Sequence, residues 1–168
     1  MKKVLIVMGS DSDYDLMKPC FDKLDALEIP YEGAICSAHR TPERAAELAS
    51  TAEEKGFGVI IAAAGLAAHL PGVLAAGTLL PVIGVPIGAG PLNGMDALLA
   101  EVQMPGGIPV ATVGINGSLN AAVLAAEILS LADEELARKL KEDRQKMAGG
   151  VLKKHERLQA KLAAAKKD

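Results

Sequence analysis

Short apolar runs alternate along this chain with segments whose apolar residues recur every three or four positions, which predicts alternating strands and helices. Residues 2–8, with Val4, Leu5, Ile6 and Val7 and a stop at Gly9, have the uninterrupted apolar run of a strand buried on both faces. Residues 31–36, 59–63, 82–85 and 110–115 are read as four further strands. A helical pattern runs from the loop at residues 9–13 to about Glu28, with Leu16, Leu24 and Leu27 on its apolar side and Pro19 bending it or delaying its start. Further helices are expected at 42–55, where Thr41 is the N-cap and Pro42 the first helical residue, at 96–103, and at 120–130, where alanines permit close packing. Residues 64–72 and 87–93 read as loops, the second too small and uncharged for open water and so set against a neighbour or lining a cavity.

The expected fold is α/β: a single-domain flavodoxin-like three-layer sandwich with a central parallel sheet at 1–132, followed by a C-terminal helical extension at 133–168. In that extension Leu136, Leu140, Met147, Val151, Leu158 and Leu162 recur at spacings of four and seven, and Gly149-Gly150 weakens the helix midway. A stripe with no partner of its own is expected to pack on the body or on another subunit.

Composition narrows the function. The chain is 50% hydrophobic, more than a monomer of this size readily hides, so a homo-oligomer is expected. Residues 56–95 contain no Asp, Glu, Lys or Arg, but Pro71, Pro81, Pro86 and Pro91 cut that run too short for a membrane span. The first 132 residues carry seven basic side chains against fourteen acidic ones, and the chain has no Trp, so nucleic acid is not an expected partner. Cys20 and Cys36 have no metal or redox spacing and no export leader opens the chain, which makes the cytoplasm the expected compartment.

The chemistry concentrates in Ser37-Ala38-His39-Arg40-Thr41-Pro42, where a proton carrier and a fixed cation share a strand-to-helix loop. Against this stands a capped turn with two solvated side chains. The loop Gly9-Ser10-Asp11-Ser12-Asp13 offers hydroxyls, an acceptor suited to ribose, and a glycine that lets backbone approach a ligand; capping by Ser12 is its plain structural reading. No P-loop, Gly-x-Ser-x-Gly elbow or dinucleotide fingerprint is present, and Gly88-Ala89-Gly90 has the wrong spacing to Gly94. His69 lies in an uncharged loop, where a packed or capping role is the ordinary reading, and no metal-ligand cluster is evident. These residues describe a dry pocket for a small phosphorylated ligand and proton transfer.

Four ordered motifs carry a closer identification: Gly9-Ser10-Asp11-Ser12-Asp13, Ser37-Ala38-His39-Arg40-Thr41-Pro42, Ala67-Ala68-His69-Leu70-Pro71-Gly72, and Gln103-Met104-Pro105 with Ile108-Pro109-Val110. Together they closely resemble the PurE family of purine biosynthesis. The resemblance implies a homo-octamer with sites at subunit contacts and no metal or organic cofactor. It also implies a mutase that turns 5-(carboxyamino)imidazole ribonucleotide into 4-carboxy-5-aminoimidazole ribonucleotide by decarboxylation and recarboxylation. His39 would carry the proton, Ser10, Ser37 and Arg40 would bind the phosphate side, and Asp13 the ribose. Gly65, Ala67, Ala68, His69 and Leu70 would line a carbon dioxide pocket. The alternatives are the family's direct carboxylase of aminoimidazole ribonucleotide and, in another class, a non-catalytic flavodoxin-like nucleotide-binding module. Leu66 stands where some members carry glycine, and Gly106 where some carry a basic residue.

Overall fold

Five parallel strands form one sheet in the computed structural model, which describes residues 1–165. The strands are β1 (Lys3–Met8), β2 (Tyr31–Ile35), β3 (Phe57–Gly65), β4 (Val82–Ile87) and β5 (Ala111–Thr112), in the spatial order β2-β1-β3-β4-β5. The helices are α1 (Tyr14–Ala26), α2 (Pro42–Thr51), α3 (Leu70–Ala75), α4 (Met95–Val102), α5 (Ser118–Ser130) and α6 (Glu134–Ala165). This is the flavodoxin-like order, and the chain reverses direction across the sheet between β1 and β3, where such folds open a ligand crevice.

Strand alternation assigns the two faces. Val4, Ile6 and Met8 of β1, with Val59 and Ile61 of β3, pack under Met17, Cys20 and Leu24 of α1 and the alanines of α5. Leu5, Val7, Ile60 and Ala62 pack on the other face under Ala45 and Ala49 of α2 and Leu70 and Leu74 of α3. Both cysteines are free and buried, and burial pushes the Cys20 thiol up to about 12.

Several boundaries differ from the sequence reading. Leu16 is 38% exposed and Met17 occupies the buried position instead, because α1 begins at Tyr14 and carries Pro19 inside it without delay. Helix α2 stops at Thr51, short of the expected 55. A six-residue helix, α3, stands where a loop was expected to run through residue 72; Pro71 near its start and the absence of any polar face hid it. Strand β5 is two residues long, not six. Beyond Thr112 the chain stays tied to β4 through Val113 N donating to Gly84 O and Asn116 N to Pro86 O, but Asn116 takes a φ of 57° and turns the chain out of the ladder.

Helix α6 runs unbroken through Gly149 and Gly150. Its first turns are docked: Leu136 is buried, Leu140 packs on the core, and ion pairs join Lys139 to Glu28, Lys23 to Asp143 at 2.6 Å and Arg144 to Glu127 at 2.6 Å. Met147, Val151, Leu158 and Leu162 remain about half exposed. Among the described residues no helix is long and apolar enough to cross a membrane.

Candidate active site

The cavity begins with a taper in side-chain size. On the face under α2 and α3, adjacent strands present Leu5, Ile60 and Val82 in one row, and one step toward the carboxyl ends Val7, Ala62 and Gly84. The next step offers only Ala64 beside Pro86. Volume removed row by row opens space at the carboxyl edge, and the loops after β1, β2, β3 and β4 close around it.

The loop after β2 is shaped by Thr41. That residue occupies the N-cap position of α2, yet its hydroxyl makes no bond to the helix. Instead Thr41 Oγ1 donates to Ser37 O at 2.9 Å and accepts from Ser37 N at 3.1 Å, while Thr41 N donates to Ser37 O at 2.8 Å. Thr41 thus holds the N-cap position as expected, but its hydroxyl staples a turn rather than the helix. Ala38, His39 and Arg40 are held on the outside of that turn. Arg40 donates from its backbone N and its Nε to Ser37 Oγ, at 3.2 and 3.4 Å, which ties the guanidinium to the serine hydroxyl.

The loop after β1 is a single 3-10 turn at Asp11–Asp13. Ser10, not Ser12, caps it: Ser10 Oγ accepts from Ser12 N at 3.3 Å and from Ser12 Oγ at 2.8 Å. Gly9 N donates to Ala63 O at 3.2 Å and leads the chain off the sheet. Burial at the cavity wall raises the Asp13 carboxyl above its usual range, and hydrogen bonding at Ser10 and Ser12 opposes the shift.

The loop after β3 contains two non-glycine residues in the left-handed region, Leu66 with φ 54° and His69 with φ 50°. His69 begins α3 and its ring lies over Gly72, with Nδ1 buried and unpartnered within the chain. After β4, Gly88 N donates to Asn116 Oδ1 at 2.8 Å, anchoring the fourth loop to the turn after β5.

Gly9, Ser10, Asp13, Ser37, Ala38, His39, Arg40, Ala64, Gly65, Leu66, Ala68, Leu70 and Ala89 line the resulting cavity of about 450 Å³. Of the residues singled out from sequence, His39, Ser10, Asp13, Ser37, Arg40, Gly65, Ala68 and Leu70 converge on it; Ala67 and His69 do not. Ala67 is exposed, and the His69 ring is directed at Gly72, which takes both off this wall. Ala64, Leu66 and Ala89 complete the lining, and of these only Ala64 had no signal in the sequence. The loop at 87–93 was expected to lie against a neighbour or to line a cavity, and Ala89 lines this one; Gly90, Pro91, Leu92 and Asn93 are exposed in the single chain. A second cleft, of about 330 Å³, shares Gly9, Ser10, Ser37 and Arg40 with the first and adds Asp11, Ile35, Cys36 and Thr41. The site thus has a hydrogen-bonding end around Ser10, Ser37 and Arg40, and an apolar end around Ala64, Ala68, Leu70 and Ala89, with His39 on its rim. Among the described residues no group of three His, Cys, Asp or Glu converges.

The AIR carboxylase family profile matches residues 3–149. The N5-carboxyaminoimidazole ribonucleotide mutase of Pyrococcus abyssi is 61% identical over 147 residues, covering 88% of this chain and 84% of its own. The enzyme of the same name from Bacillus subtilis is 57% identical over 155 residues, covering 91% and 96%. Among solved structures, Treponema denticola PurE superposes with a TM-score of 0.79 at 30% identity, covering 89% of this chain and 94% of its own.

Proposed function

The chain belongs to the AIR carboxylase family, and we propose that the cavity at the carboxyl edge of its sheet is where it performs the mutase reaction of purine biosynthesis. The reaction converts 5-(carboxyamino)imidazole ribonucleotide to 4-carboxy-5-aminoimidazole ribonucleotide, an isomerisation. The observation that carries the assignment of the site is one cavity lined by hydrogen-bonding residues (Ser10, Ser37, Arg40) and by small apolar ones (Ala64, Ala68, Leu70, Ala89), with His39 on its rim. A ribonucleotide pairs the same two characters, with a phosphate at one end and a reacting base at the other.

In this reading the phosphate lies where the two clefts meet, held by the Arg40 guanidinium and the Ser10 and Ser37 hydroxyls. The Ser37–Arg40 hydrogen bonds already orient these donors, so little ordering entropy remains to be lost on binding. Asp13 accepts from the ribose hydroxyls, and the imidazole extends over Gly65, Ala68 and Leu70. The bond from the exocyclic nitrogen to the carboxyl carbon then breaks with its electron pair left on nitrogen. Ring carbon 4 attacks the carbon dioxide, and His39 moves one proton from carbon 4 to that nitrogen. Proton number and charge balance without a co-reactant, and an imidazole can both give and take a proton.

A homo-oligomer, an octamer in the family reading, would cover the half-exposed stripe of α6, and the cytoplasm is the compartment proposed. The deciding experiment is turnover without ATP or added metal. The carboxyamino substrate is offered in one cuvette and aminoimidazole ribonucleotide with bicarbonate in another. Conversion mainly in the first is expected; conversion only in the second, at modest bicarbonate, would make the chain a direct carboxylase.

A further inference from the structure

Leu66 stands in a conformation that stability does not favour. Its φ of 54° lies in the region where a Cβ crowds the following carbonyl, and its side chain is 50% exposed, so burial offsets little of that cost. Glycine would be at ease there. What the side chain does is line the cavity and reach the loop after β4: its Cδ2 lies so close to Gly90 that a Cβ on that glycine would stand 2.5 Å away. Gly90, with φ 66°, has no side chain to object. Leu66 therefore bridges the loop after β3 to the loop after β4, beside the point where a Cβ on Gly65 would come within 3.3 Å of the Ala89 Cβ. Strained residues persist where their surroundings hold them to a task.

The mutase reading, on which this inference rests, defines such a task. Halfway through the reaction the carboxylate has left nitrogen as carbon dioxide, with the electron pair on that nitrogen, and has not yet bonded to carbon 4. Carbon dioxide has no charge and no donor. Its oxygens are only weak acceptors, so Arg40 and the serines at the polar end hold it poorly and its confinement falls to the walls. We propose that Leu66 is the wall that retains the carbon dioxide, so that it determines how much is recaptured at carbon 4 and how much is lost to solvent.

The test uses the full-length chain with Leu66→Gly and Leu66→Ala. Substrate labelled in its carboxylate carbon is turned over in a closed vessel. Label in the carbon-4 carboxylate is counted against label released as gas, after subtraction of release without enzyme. The expected ratio of lost to retained label rises about tenfold in Leu66→Gly, the low end of what one apolar group decides in a pocket, with Leu66→Ala between. Leu66→Gly should melt no lower than the parent, because glycine takes this φ freely, so leakage and stability move independently. A Leu66→Gly chain that makes labelled product with the parent's ratio would overturn the role of Leu66 alone. A parent chain that makes no carbon-4 product would overturn the mutase reading instead.

Discussion

The imidazole of His69 rests on Gly72 so closely that a Cβ there would lie 2.0 Å from Nε2 and 2.3 Å from Cε1. Glycine within a helix costs about 0.5–1 kcal/mol relative to alanine, and Gly72 lies within α3. That cost is offset by a seat for the ring which no other residue allows, and it explains how a residue with φ 50° can begin a helix with its ring folded back onto the first turn.

Gly72→Ala should therefore destabilise the chain by about 1–3 kcal/mol, the usual cost of overpacking, despite alanine's better helix propensity. His69→Ala combined with Gly72→Ala should recover most of that loss, since the clash needs both side chains. Denaturant midpoints for the two single variants and the double variant, at unchanged m, decide it. Additive losses would mean that the ring is not seated on Gly72 in solution.

His39→Asn keeps a polar side chain on the cavity rim and removes the proton carrier. Turnover should fall by about 100- to 10,000-fold, the range for a positioned acid–base group, while the affinity for product changes little. Calorimetry of product binding and steady-state rates measured together make the test. A variant turning over near the parent rate would take His39 out of the mechanism.

Much of this site can be read in the sequence because parallel sheets bring the ends of successive strands together. Once residues 2–8, 31–36, 59–63 and 82–85 are read as strands, Ser10, Ser37, His39, Arg40 and Gly65 must share one edge, whatever the details of their loops. What escaped depends on contacts between distant segments. Leu16 and Met17 are equally apolar, and only docking on α5 decides which is buried. Thr41 before Pro42 has the signature of a cap, and only the path of the turn sends its hydroxyl to Ser37. The helix at Leu70–Ala75 is apolar all round, so no periodicity marks it. His69 and Ala67 belong to the right motif but are turned off the cavity wall by the left-handed residues at 66 and 69, a backbone choice that residue types at these positions do not announce.

Among the described residues Arg40 is the one arginine or lysine on the cavity lining. Replacing it with alanine removes charge-assisted hydrogen bonds worth about 1.5–3 kcal/mol, so substrate affinity should fall by about 10- to 100-fold with kcat less affected. Arg40→Lys should recover only part, because an ammonium lacks the planar fork now bonded to Ser37. An unchanged KM in Arg40→Ala would place the phosphate elsewhere.

Met147 and Val151 lie on α6 beyond its last ion pairs to the body, both more than half exposed. If another copy of the chain covers that stripe, Met147→Glu with Val151→Glu should lower the assembly state by sedimentation, while the melting of the isolated body changes little. A parent chain that sediments as a monomer at micromolar concentration would remove the oligomer from the proposal.

Glu101 imposes a pH dependence on stability that is separate from catalysis. It is 0% exposed on α4, both carboxylate oxygens lack a partner among the described residues, and Oε2 lies 2.6 Å from where a Cβ on Gly84 would be. Burial pushes its pKa up to about 8 from an ordinary 4.5. The folded chain thus keeps a proton that the unfolded chain releases, so the protonated group's contribution is complete below about 4.5 and lost as pH rises through about 8. Within that window stability should fall with a slope of up to about 1.4 kcal/mol per pH unit. Glu101→Leu keeps a similar volume without an ionisable group, so the difference between variant and parent should grow across the window and level off on either side. Other titrating groups cancel in that difference. Parallel stability curves for the two chains from pH 5 to pH 8 would mean that Glu101 ionises as freely in the folded chain as in the unfolded one, and that its carboxylate finds a partner or water in solution.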